Sequence, residues 1–131
     1  MSVEGDIQAV LMAQAETITG YTMLWPRSGG DIPSGEHIRV YHMPNDNAAA
    51  YLSGDVMERM GFLVLTLVSD LGEHDVVSRR KAGEIAAFFP RGKHLTRNAT
   101  TLTITDHTVR PGREESGRWE TPIRIGYRGI A

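Results

Sequence analysis

The stretch Gly61-Phe62-Leu63-Val64-Leu65-Thr66-Leu67-Val68 constrains the fold more than any other part of this 131-residue chain. In an extended conformation Phe62, Val64, Thr66 and Val68 point one way, and Leu63, Leu65 and Leu67 point the other. A strand that is apolar on both sides must be covered on both sides, by its own domain or by a neighbouring subunit. The segment Ser69 to His74 reads as a turn. Asp75 to Phe89 then reads as a helix folding back over the strand, with Asp75 as its N-cap. Val76, Val77, Ile85, Phe88 and Phe89 form its apolar set; Ser78, Arg79, Arg80, Lys81 and Glu84 form its polar set. Pro90 and Gly92 end it.

Before the central stretch, Val3, Ile7, Val10, Leu11 and Ile18 fall at helical spacing, which predicts an amphipathic helix from Ser2 to about Ile18. Ser2 is its expected N-cap and Gly20 its stop. Tyr21 to Trp25 is a short extended segment ended by Pro26. His37 to Met43 alternates, with Ile38, Val40 and His42 on one side and Arg39, Tyr41 and Met43 on the other. Val56 to Val68 reads as one long strand with a bulge or bend at Gly61. Thr100 to Thr105 sets Leu102 and Ile104 against threonines, a half-buried strand. In the last strand Trp119, Thr121, Ile123, Ile125 and Tyr127 line one face, and Arg118, Glu120, Arg124 and Arg128 the other. Pro122 places that strand at a sheet edge, or bulges it.

Three long segments rich in turn residues separate these elements: Arg27–Gly35, Pro44–Asp55 and Asp106–Gly117. Connections this long are uncommon in a small domain and tend to carry function. They read either as mobile surface loops or as arms for assembly with copies of the chain and other subunits.

Composition excludes several function classes. The chain has no cysteine, so disulfides and thiol chemistry are out. With 14 basic and 16 acidic residues, a net charge of −2 argues against general affinity for nucleic acid. No basic leader precedes an apolar run and no apolar stretch is long enough to span a bilayer, so neither secretion nor a membrane partner is expected. The five histidines lack ligand spacing: His37 and His42 face opposite sides of a strand, and His94 and His107 have no matching neighbour. Glu73-His74-Asp75 fits a helix start better than a metal site. Gly83 to Lys93 echoes a phosphate loop only at its end, with His94 where Ser or Thr is needed. No Gly-x-Ser-x-Gly elbow occurs, and Glu114 and Glu115 sit beside Arg113 and Arg118, which keep them ionised. The expectation is a non-enzyme with no cofactor and no metal.

Glu36-His37-Ile38-Arg39-Val40, followed by Met60 to Val68, resembles a pattern in tail-terminator-like proteins of long-tailed bacteriophages. So do the helix end Ala86-Ala87-Phe88-Phe89-Pro90-Arg91-Gly92 and the final Gly117 to Arg128, and Leu24-Trp25-Pro26 fits the same scheme. The resemblance runs over nearly the whole chain. It implies a homohexameric ring on the head-proximal end of the tail tube, which stops tube polymerisation and faces the head connector. DNA would pass through the channel without specific binding. The implied partners are other copies of the chain, the tube protein and the connector or stopper protein. It carries no catalytic motif. A head-completion or stopper protein of the same neck region, and a small-ligand-binding domain, are the alternatives.

Together these readings predict one α+β domain over residues 1–131. Its sheet is mixed or mostly antiparallel, with four to five strands and two main helices packed on one face. The candidate contact residues are Trp25, Arg27, Asn45, Tyr51, Met57, Arg59, Arg110, Arg113, Arg118, Arg124 and Arg128. Arg118, Arg124 and Arg128 are expected to meet acidic groups of neighbouring subunits or of the tube.

Overall fold

The long apolar strand is the spine of a computed structural model that describes residues 3–26, 33, 35–44, 58–72, 74–98 and 100–130. In chain order the elements are α1 (Val3–Ala15), β1 (Thr22–Leu24), β2 (His37–Pro44), β3 (Glu58–Asp70) and α2 (Asp75–Ala86). They continue with β4 (His94–Arg97), β5 (Thr100–Val109), β6 (Arg113–Glu115) and β7 (Arg118–Ile130). The sheet runs β1-β2-β3-β7-β5-β4, with β6 also paired to β7. Among the described residues only β1 and β2 pair in parallel; the other pairings are antiparallel.

This corrects the expected architecture. Among the described residues the molecule is mostly sheet, 50% strand against 23% helix, and seven strands curl into a half-barrel. It is not a four- or five-stranded sheet with two helices packed on one face. The extra strands come from segments whose polar residues read as connections. His94–Arg97 pairs with β5 although only Leu95 of the four is buried. Asp106–Gly117, expected as a loop, instead continues β5 to Val109 and then forms β6, which turns through Ser116 and Gly117 into β7. Backbone pairing satisfied by a long neighbour overrides weak strand propensity.

Three local expectations also change. The pairing of β3 runs through Gly61 without interruption, opposite Pro44 on one side and Tyr127 on the other. Glycine is needed there for closeness rather than for a bulge: a Cβ would lie 2.8 Å from the Met43 carbonyl oxygen. The irregularity falls instead between Ile104 and Asp106 of β5. There Gly126 makes room for the Asp106 and Thr105 side chains.

Pro122 lies not at an edge but in β7, between β3 and the β5/β6 side. Its carbonyl accepts from the Arg110 amide at 2.8 Å, so its own missing N–H points to the same side. That side is the break between Val109 and Arg113, where no ladder bond is lost.

In α2 the cap is His74, whose ring accepts from the Val76 amide at 3.3 Å, rather than Asp75. Ser78, grouped with the polar residues, is buried and shares a hydrogen bond with Ser69 of β3 at 3.2 Å. Val76 and Val77, grouped with the apolar ones, are exposed.

The core lies between the sheet and the two helices. Ile38 and Val40 of β2, Leu63, Leu65 and Leu67 of β3, Leu102 and Ile104 of β5, and Ile123 and Ile125 of β7 supply the sheet side. Ile7, Leu11 and Ala15 of α1 and Ala82, Ile85 and Ala86 of α2 supply the helix side, with Phe89. Hydrogen bonds fasten these parts together. The Gln14 amide donates to the Phe88 carbonyl at 2.7 Å, and His107 Nδ1 lies 2.9 Å from the Phe89 carbonyl.

Candidate functional site

The pairing register sorts the side chains of the long strands onto two faces. Leu63, Leu65 and Leu67 turn to the core. Met60, Phe62, Val64, Thr66 and Val68 turn to the opposite face, beside Arg39, Tyr41 and Met43 of β2 and Glu120, Arg124 and Arg128 of β7. This outer face has a covered end and a bare end. At the covered end Thr66 and Val68 are 6% and 3% exposed. At the bare end Tyr41 is 57% exposed and Met43 and Met60 are each 47% exposed, with Phe62 and Val64 half-buried between them.

Large apolar side chains standing together in water are the signature of a contact surface. Arg124 lies over the Phe62 ring, 4.7 Å from its centroid, so a cation borders the apolar patch. Arg128 pairs with Met60 and is exposed. A shallow recess lined by Met60, Phe62, Thr105, Gly126 and Arg128 opens beside them.

The covered end is built around an ion pair. Arg39 meets Glu120 through two parallel bonds, 3.0 and 2.9 Å, a geometry that fixes orientation as well as charge. Those bonds raise the Arg39 pKa and, from the other side, hold the Glu120 carboxyl below its ordinary 4.5. Burial opposes both shifts and is the weaker effect. Arg113, Glu115 and Arg118 complete a recess around the pair.

On the core side, at the same end as the apolar patch, His42 Nε2 and the Tyr127 hydroxyl are 2.6 Å apart. Burial pushes the tyrosine up to about 12 and the histidine below its ordinary 6.5. Both are therefore neutral at pH 7 and share one hydrogen bond.

The predicted contact residues separate into four groups. Arg27, Asn45, Tyr51 and Met57 lie outside the described residues, as does the side chain of Arg59. The first two proposed arms, Arg27–Gly35 and Pro44–Asp55, likewise fall mostly outside them. Trp25 is half-buried against the core, and Arg118 is half-buried, 3.7 Å from Asp70 and donating to the Gly35 carbonyl. Arg110 and Arg113 stand exposed near the β5–β6 break, the latter 3.9 Å from Glu115. Only Arg124 and Arg128 share the apolar end of the outer face.

Tyr41, Met43, Met60 and Phe62 were not singled out. Their signal was available: Tyr41 and Met43 are apolar side chains on the side of β2 opposite its core residues. Among the described residues no three histidines, cysteines or carboxylates gather as metal ligands. What the outer face offers is area, apolar side chains and fixed cations, the materials of binding rather than of proton transfer.

Comparison with solved structures gives the same fold twice. One neighbour is 19% identical with a TM-score of 0.72, covering 97% of this chain and 92% of its own. Another, from the virion of a native gene transfer agent particle, is 12% identical with a TM-score of 0.69, covering 99% and 98%. No significant relative was found among curated proteins. Residues 6–127, from within α1 to within β7, match the family described as phage tail terminator protein. With nearly every element inside that match, the chain belongs to the phage tail terminator family, a family of structural proteins of the phage tail.

Proposed function

We propose that this protein assembles into a closed ring, a hexamer by resemblance to its family, on the head-proximal end of the tail tube. The ring stops addition of tube protein and presents its other side to the connector or stopper of the head. The neck is its place in the particle, assembly occurs in the host cytoplasm, and DNA passes through the channel without specific contacts. The role is structural rather than catalytic.

One observation carries the reading: β3 has a second apolar face that the described residues leave partly bare, at Met60, Phe62 and Val64 with Tyr41 and Met43 beside them. A lone domain has no use for that surface, while a ring hides it in every copy. Family membership supplies the context. A chain with net charge −2 also suits a channel that must release DNA, since tight phosphate binding needs a concentrated basic surface.

The test is electron microscopy of the purified chain, alone and added to polymerising tube protein. Rings with a duplex-wide channel, and tubes that stop growing when the protein is added, are expected. A chain that stays monomeric and leaves tube length unchanged overturns the proposal.

A further inference from the structure

β3 carries a second exposed apolar site, at its other end. Leu71, in the turn after β3, is 47% exposed, and Val76 and Val77 of α2 follow at 51% and 41%. The two sites differ in charge. The patch at Met60 and Phe62 is bordered by Arg124 and Arg128, with Asp106 the acid on the row of Phe62 and Gly126. The turn is bordered by Asp70, whose side chain is 82% exposed, and by Asp75; Glu73 lies between them in sequence. Arg118 reaches Asp70 from within the chain at 3.7 Å, and Arg79 and Arg80 begin one helical turn further along α2. Around Leu71 itself the carboxylates predominate.

We infer that the Leu71 turn of one copy seats on the Met60–Phe62 face of the next, with Asp70 directed at Arg124 and Arg128. This rests on the ring reading and names the surfaces that close it. Met60 and Asp70, the neighbour of Leu71, are ten positions apart along one extended strand, about 33 Å at ~3.3 Å per residue. Two unlike surfaces that far apart on a rigid element suit a head-to-tail contact, which repeats around a ring and closes. The opposite signs at the two sites also disfavour like-with-like pairing, where Arg124 would face Arg124. A lasting contact buries on the order of 1,200–2,000 Å², more than one leucine provides. Val76 and Val77, exposed beside the turn, supply further apolar area.

The test uses Met60→Asp and Leu71→Asp, both at exposed positions, in the full chain, with hydrodynamic mass as readout. Each variant alone is expected to lose the ring and sediment as a single 14.5 kDa chain. Mixed in equal amounts, they should form a one-to-one dimer, because the first keeps an intact turn and the second an intact face. Circular dichroism matching the parent separates loss of contact from loss of fold. A charge exchange is the second arm: Asp70→Arg and Arg124→Asp each weaken the ring, and both changes in one chain restore it. Parent rings left undisturbed by these substitutions overturn the head-to-tail contact and leave the ring reading standing. So does a mixture that stays monomeric while the parent forms rings. A parent chain that never assembles takes both down.

Discussion

The two faces of β3 are nearly equal in sequence and unequal in surroundings. Leu63, Leu65 and Leu67 have no exposed surface. On the other side Thr66 and Val68 are covered, Val64 and Phe62 only partly, and Met60 stands 47% exposed. One face serves folding of the single chain throughout its length. The other changes along the strand from an interior beside the Arg39–Glu120 pair to an open surface. Hydrophobicity along a strand thus states a demand for cover; only the neighbouring elements decide whether the same chain meets it.

The sharpest way to break this comparison is truncation on each face. Leu65→Ala should cost about 2–5 kcal/mol, the usual toll for a leucine cavity that the surroundings do not refill, read from urea denaturation. Gly61→Ala should cost about 1–3 kcal/mol, because the new methyl meets the backbone of Met43 and Pro44 as well as the Tyr127 hydroxyl, and the backbone atoms cannot swing aside. A variant of parental stability would show that β2 and β3 can part locally at the bare end.

Glu120→Ala tests the covered end. It removes both charge-assisted bonds to Arg39, but Arg39 is 45% exposed and regains water, so a loss of about 1–2 kcal/mol is expected. No measurable loss would mean that the outer face is held by its apolar residues alone.

Acid should act in the same direction. The His42 pKa is depressed in the folded state, so the unfolded chain binds more protons once the pH falls below about 6.5. Stability therefore declines from there down to the folded-state value, at no more than about 1.4 kcal/mol per pH unit for one proton. Glu120, also depressed, adds a second decline below 4.5. Urea midpoints at pH 7 and pH 5.5 measure the first decline, which His42→Asn should abolish.

The smallest expected effect is the most telling. Met60→Ser should change monomer stability by less than about 0.5 kcal/mol, as surface changes do. A loss of the Leu65→Ala size would erase the difference between the faces.

Much of this was legible. Alternation placed Ile38, Val40 and His42 against Arg39, Tyr41 and Met43, and separated the two sides of β7, because one buried face imposes a period of two. What escaped was whatever depends on a partner strand. His94–Arg97 and Arg113–Glu115 are polar and short, and become strands only because β5 and β7 are there to receive their backbone bonds. Pro122 marked an edge or a bulge by rule, yet sits inside the sheet because its silent side meets the gap between β5 and β6. At the candidate surface, arginines drew notice as chemistry-bearing residues, while Tyr41, Met43 and Met60 passed as ordinary apolar residues. Exposure is a property of three dimensions, and one sequence does not carry it.

The pairing of β3 with β7 has a consequence for how the molecule is made. Its register joins Asp70 to Arg118 at one end and Glu58 to Ile130 at the other, so the middle of the sheet is stitched from segments far apart along the polypeptide. Closing such long loops is entropically slow. A ribosome must also deliver the final strand before the middle can zip. Until then the leucines of β3 lack the neighbour that seats them, and the nascent chain is at its most vulnerable to clumping. Maturation of each copy is thereby tied to the arrival of β7.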